Sequence, residues 1–221
     1  MSGSTNGAEM IRITVKGLAK FMTRGPAGQR KVLRDFKLPK PEGFVQSIYY
    51  GEARRAIRDY HSKGNDPATL VSAIEDLRTE ADRATGQGQT RLEHNIRAVE
   101  SYLRHFANKR FTVLETPRLR YSHENVTVSA TPDLFVEENG REKLIKLELG
   151  ADAPDHTMVK IILQVMYQAA VSDGIAVRPQ DVIYLDASRA VQHKGAKVRA
   201  RLTGEIEAAC ENIEAMWPGI R

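Results

Sequence analysis

The sequence predicts an α/β protein: a central mixed β-sheet flanked by helices, with an N-terminal helical lobe. Three observations predict it. Up to residue 107 the apolar residues recur at steps of three and four, the period of helices buried on one side. From residue 111 the period drops to two and β-branched residues become frequent, as in strands. A mostly apolar run at 156–172 then separates one strand from the next, as a helix covering a sheet would.

The elements follow in order. Residues 1–9 are small, polar and aperiodic, which predicts a disordered tail. Val15, Leu18, Phe21 and Met22 fall at helical spacing until Gly25-Pro26 breaks the run. A second short helix spans about Ala27 to Phe36, with Arg30, Lys31 and Arg34 outward. Phe44 to Ser62 reads as a helix with Val45, Ile48, Ala53, Ile57 and Tyr60 on one stripe. Helices at 67–83 and 90–107 follow, joined by a loop at 85–89. Strands are expected at 111–122, 125–138 and 143–150, with a turn at Glu138-Asn139-Gly140-Arg141. The helix 156–172 starts on Asp155 as its N-cap. A strand at 181–188, a further one at 197–202 and a helix at 203–217 capped by Thr203 complete the chain. Residues 10–221 then form one domain, with the helical lobe at 10–107 and the sheet core at 108–221.

The chain has 221 residues, 41% hydrophobic and 28% charged, the composition of an ordinary globular protein. No run approaches the ~18 apolar residues of a membrane span. The opening MSGSTNGAEM lacks an apolar signal core, so the expected location is the cytoplasm. The single cysteine, Cys210, allows no internal disulfide and no iron–sulfur cluster. The six histidines show no H-x-x-x-H or H-E-x-x-H spacing, which argues against zinc; His61 reads as a solvated helix-end residue. The formal net charge of +5 suits a polyanionic partner such as nucleic acid.

One constellation carries chemistry. In "LIKLELG", Ile145, Leu147 and Leu149 face one way, and Lys146 and Glu148 face the other. If the strand at 125–138 pairs with it, Asp133 lies near both. Asp133 and Glu148 could hold Mg²⁺, which takes oxygen ligands, and Lys146 could stabilise transition-state charge. The same residues also read as an exposed charge pair and a strand-end aspartate.

At "VSATPDLFV" and "LIKLELG" the chain resembles the PD-(D/E)XK nucleases, specifically the RecB-type nuclease domain. "YYGEARRAIRDYH" is similar to that family's histidine-bearing helix, and "LQVMYQAAV" to its Gln- and Tyr-bearing helix. The resemblance implies a restriction-endonuclease-like core. Asp133 stands at the first metal-binding Asp, Lys146 at the second acid and Glu148 at the Lys, so acid and base are exchanged. Arg55 stands where the helix offers His. It implies a nucleic-acid partner, DNA first, contacted by Arg55, Lys160, Gln164 and Tyr167. Two functions follow. One is Mg²⁺- or Mn²⁺-dependent phosphodiester hydrolysis, with metal on Asp133 and Glu148. The other is a catalytically inactive member that binds or assembles within a larger complex. The basic runs at 30–34, 54–58 and "HKGAKVRAR" (193–201) suit phosphate contact in either case.

Overall fold

The computed structural model describes residues 10–39 and 49–221. The predicted disordered tail and residues 44–48 of the predicted helix lie outside the described residues. Among the described residues there are seven α-helices and two mixed sheets, one of three strands and one of five. The α/β class is as the periodicities predict, but the sheet is divided.

The first element is a strand, β1 (Ile11–Thr14), absent from the sequence expectation. It alternates buried and exposed residues over only four positions, too few to stand out beside the helical run that follows. Helix α1 (Val15–Met22) starts where the Thr14 hydroxyl accepts the Gly17 N–H at 3.1 Å. Helix α2 (Pro26–Lys37) has proline in its first turn, where no N–H is needed. It crosses α1 closely: a Cβ on Gly17 would sit 2.4 Å from the Phe36 ring.

Helices α3 (Gly51–Ser62), α4 (Pro67–Arg83) and α5 (Gly86–Phe106) form the helical lobe. Helix α5 begins inside the expected loop. Its buried Asn95 caps α3 from outside: Oδ1 accepts the Ala53 N–H at 2.9 Å, and Nδ2 donates to the Tyr49 carbonyl at 2.6 Å. His61 is not solvated. It is buried, with hydrogen bonds to Asn65 and to the Tyr102 hydroxyl at 2.7 Å each. Its ring fills the gap between α3 and α5, so the helix end is inside the lobe.

The run 125–138 is two strands. β4 (Val126–Ser129) pairs with β1 in parallel and with β3 (Arg120–His123) antiparallel. The chain then leaves that sheet at Thr131-Pro132, where proline cannot donate a ladder hydrogen bond. β5 (Leu134–Glu137) enters the second sheet, between β2 (Thr112–Val113) and β6 (Glu142–Glu148). The β5–β6 turn is closed by reciprocal Glu138 and Arg141 backbone hydrogen bonds, with Asn139 and Gly140 at positive φ as a tight hairpin requires.

Helix α6 (His156–Ser172) returns the chain to β7 (Val182–Asp186), parallel to β6. Asp155 caps it as predicted, accepting from the Thr157 and Met158 N–H groups. β8 (Val191–Lys194) closes the order β2-β5-β6-β7-β8. The expected strand at 197–202 is instead a loop and the start of α7 (Ala200–Met216). Thr203 therefore lies within α7 rather than at its cap. Its hydroxyl accepts from the Gln164 and Gln168 amides at 2.9 and 3.1 Å.

Two cores sandwich the five-stranded sheet. On one side the lobe packs against Ile145, Leu147, Ile183 and Leu185. On the other, β1, α1, α6, α7 and the small sheet pack against Leu144, Val182 and Tyr184. Helix α2 joins this second core through Leu33, so the first two helices belong with the C-terminal elements and not with the lobe. Among the described residues no helix is long and apolar enough to cross a membrane.

Candidate functional site

The alternation of β6 sends Ile145 and Leu147 into the lobe core and leaves Lys146 and Glu148 on the opposite face, as the sequence predicts. Asp133 comes from the segment that leads into β5. Its N–H donates to the Ile145 carbonyl at 2.9 Å, and its Oδ2 accepts the Leu147 N–H at 2.8 Å. The carboxylate thus completes the β5–β6 ladder and is fixed by it. The three residues meet at the C-terminal ends of the parallel pair β6 and β7, where open α/β sheets place ligands.

Each carboxylate is held by cations of the chain itself. Lys146 Nζ lies 3.4 Å from Asp133 Oδ2 and donates to the Thr131 carbonyl at 3.0 Å. Arg54 Nε lies 3.2 Å from Asp133 Oδ1, and Arg58 donates to the Asp133 carbonyl at 2.9 Å. Lys16, at the start of α1, donates to Glu148 Oε2 at 2.8 Å. The Tyr184 hydroxyl donates to the same oxygen, and the Gly150 N–H donates to Oε1 at 3.2 Å. Side-chain exposures of 12% for Asp133, 17% for Lys146 and 21% for Glu148 leave the group within reach of solvent while most of each side chain is dry.

This environment sets the charges. Burial lowers the Lys146 pKa, and the nearby Lys16 and Arg54 push the same way; Asp133 opposes them. Burial works against the Glu148 carboxylate, yet Lys16, the Tyr184 hydroxyl and the Gly150 N–H outweigh it and hold its pKa below the ordinary 4.5. The Tyr184 hydroxyl is raised, first by its own burial and then by Glu148.

A divalent cation fits this arrangement poorly. Both oxygens of Asp133 and both of Glu148 already face a donor or cation of the chain. A metal held by both carboxylates would stand beside the Lys146 and Lys16 ammonium groups, whose like charge opposes it. Among the described residues no group of three or more His, Cys, Asp or Glu side chains gathers anywhere.

The other expected contact residues lie apart from this cluster. Arg55 is exposed on α3 and points away; its neighbours Arg54 and Arg58, four residues apart on one helix face, are the ones that reach Asp133. Lys160, Gln164 and Tyr167 line a groove between α6 and residues 194–205, to which Asp133, Lys146 and Glu148 do not contribute. The Gln164 amide is already engaged with Arg199 and Thr203. Sequence reasoning missed Lys16 and Tyr184 altogether. The Arg54/Arg58 spacing was the one signal that could have found a partner for Asp133.

No protein-family model and no curated protein matches the chain.

Proposed function

We propose that this protein is a non-catalytic nucleic-acid-binding module with a restriction-endonuclease-like core, which takes the phosphate backbone, DNA first, at the charge cluster around Asp133 and Glu148. One observation carries the reading: every carboxylate oxygen there already faces a donor or cation of the chain, chiefly Lys16, Arg54 and Lys146. Lys146 and Lys16 each contact one of the two carboxylates on which the resemblance would place a metal. With Arg58 added, four basic side chains stand against two carboxylates, and that excess of basic groups would attract phosphate. A module of this kind supplies binding to a larger complex in which another chain does the chemistry. Hydrolysis with Mg²⁺ or Mn²⁺ on Asp133 and Glu148 would require both lysines to swing out.

Two measurements test the proposal together. Calorimetry with Mn²⁺ on the wild type and on Asp133→Ala is expected to give no binding in either. Fluorescence anisotropy with a labelled duplex, in chelator, is expected to give binding that falls linearly in log K against log salt, with a slope of about −0.9 for each phosphate neutralised. Metal binding in the wild type that disappears in Asp133→Ala would overturn the non-catalytic reading. Absence of duplex and single-strand binding at low salt would overturn nucleic-acid recognition.

A further inference from the structure

The groove between α6 and residues 194–205 is sorted by depth, carbon below and charge above. Its volume is about 400 Å³, within the ~300–1,000 Å³ of small-ligand sites. Its floor is apolar: Leu163 from α6 is buried, and Val198 and Leu202 opposite are half-buried. Its rim is basic: Lys160, Lys194, Lys197 and Arg199 are all exposed. The one acid in the lining, Glu205, is paired with Arg201 at 2.9 Å. Among the described residues the four rim cations make no ion pair. They repel one another, and an anion entering there relieves that repulsion.

The floor offers almost nothing to a polar ligand. Gln164 is the one side-chain amide in the lining, and both its ends are engaged. It donates to the Arg199 carbonyl at 3.3 Å and to the Thr203 hydroxyl at 2.9 Å, and it accepts the Arg199 N–H at 3.3 Å. The Tyr167 hydroxyl makes no hydrogen bond to another described residue and is the single free polar group beside the floor. A heteroaromatic base lying there would bury several donors and acceptors against one hydroxyl, at a cost for each group left unpaired. An alkyl chain buries none. The wall is fixed in advance: Gly195 donates to the Val182 carbonyl at 2.8 Å, and a Cβ there would lie 2.2 Å from the Pro179 carbonyl oxygen.

We propose that this groove binds a medium-chain aliphatic carboxylate, its chain along Leu163, Val198 and Leu202 and its head among the rim lysines and Arg199. An inorganic anion uses the rim and leaves the floor wet. An alkylammonium fits the floor and is repelled by the rim. A fatty carboxylate uses both. The proposal does not depend on the charge cluster around Asp133.

The test is calorimetry on the full chain with acetate, butanoate, hexanoate and octanoate below their micelle-forming concentrations, and with octylammonium and dAMP. Affinity should rise about fourfold for each methylene added from butanoate to octanoate, the gain expected when each one is buried. Octylammonium should not bind. The double variant Lys160→Ala/Lys197→Ala changes exposed side chains only and should weaken octanoate by about tenfold, as expected for loss of charge at the rim. Leu202→Gln should also weaken octanoate by about tenfold, through lost apolar contact, and flatten the rise with chain length. Circular dichroism and melting establish that each variant is folded, and the chain-length series on the wild type decides the matter if one is not. Acetate binding as tightly as octanoate would overturn the proposal in favour of a bare anion site. Octylammonium binding as tightly as octanoate would overturn it in favour of a bare apolar slot. Tighter binding of dAMP than of octanoate, no octanoate binding, or octanoate binding that neither variant weakens would each overturn it as well.

Discussion

Removing the Asp133 carboxylate is the sharpest perturbation of the charge cluster. Asp133→Ala deprives Lys146 of its acid at 3.4 Å, Arg54 of its acid at 3.2 Å and the Leu147 N–H of its acceptor at 2.8 Å. Breaking a buried ion pair by deleting one partner costs about 3–5 kcal/mol. Two features reduce that here: the side chains are 12% and 17% exposed, and Lys146 keeps its hydrogen bond to the Thr131 carbonyl. The amine can also shed its proton, a change that burial already favours. The orphaned backbone N–H adds about 1 kcal/mol. The expected loss is therefore about 3 kcal/mol, a fall of about 1–2 M in the urea midpoint. Lys146→Met should cost only about 1 kcal/mol, because Asp133 keeps Arg54 and the Leu147 N–H. The double variant leaves no stranded ammonium and should be more stable than the sum of the two by about 1–2 kcal/mol. Urea unfolding of the four proteins reads all three numbers. Strict additivity, or an Asp133→Ala variant within about 0.5 kcal/mol of wild type, would refute the claim that these charges are held as one desolvated unit.

Three further predictions follow from the same geometry. Lys146→Glu replaces the ammonium by a third carboxylate and should create a Mn²⁺ site, raising stability by about 2.7 kcal/mol at a hundredfold excess over Kd; an unchanged melting temperature with Mn²⁺ would mean that Lys146 is not what excludes the metal. Because the folded-state pKa of Glu148 is below its ordinary 4.5, its stabilisation is present above that value and is lost as the pH falls through the depressed one. Glu148→Gln should therefore flatten the decline in unfolding midpoint as the pH falls below 4.5, and curves that stay parallel to wild type would contradict this. Gly17→Ala drives a methyl to within 2.4 Å of the Phe36 ring and should cost about 1–3 kcal/mol by forcing α1 and α2 apart, whereas a neutral result in thermal melts would show that the ring moves freely.

The fold class was legible because it depends on long periodic segments. Helices 67–83 and 156–172 match their predicted bounds, and each carries an aspartate cap and an unbroken apolar face. What escaped depends on short segments and remote partners. β1 and β8 have four residues each; β1 alternates too briefly to register, and β8 does not alternate. The division of 125–138 between two sheets is marked only by Pro132 and by the change from the alternating β4 to β5, whose first three residues are all buried. At the site, the Asp133–Lys146 juxtaposition followed from strand alternation and hairpin register alone. Lys16 and Tyr184 did not, because their link to Glu148 spans 132 and 36 residues and no local pattern encodes such a distance.

The pairing of β1 with β4 has a consequence for the order of assembly. Ile11 hydrogen-bonds to Asn125, Lys16 to Glu148, Lys37 to the Trp217 carbonyl and Arg34 to the Arg221 carbonyl. The segment 11–37 is thus anchored almost wholly by residues far down the chain, and closing such large loops is slow. Helices α3, α4 and α5 pack on one another and on the five-stranded sheet, in a core that holds no residue of 11–37, and can form while that segment still waits. Pulse-labelled hydrogen exchange during refolding should protect α4 and α5 before β1. During synthesis the earliest described strand is then among the last to be secured, and until it docks the edge of β4 stands open to pairing with another chain.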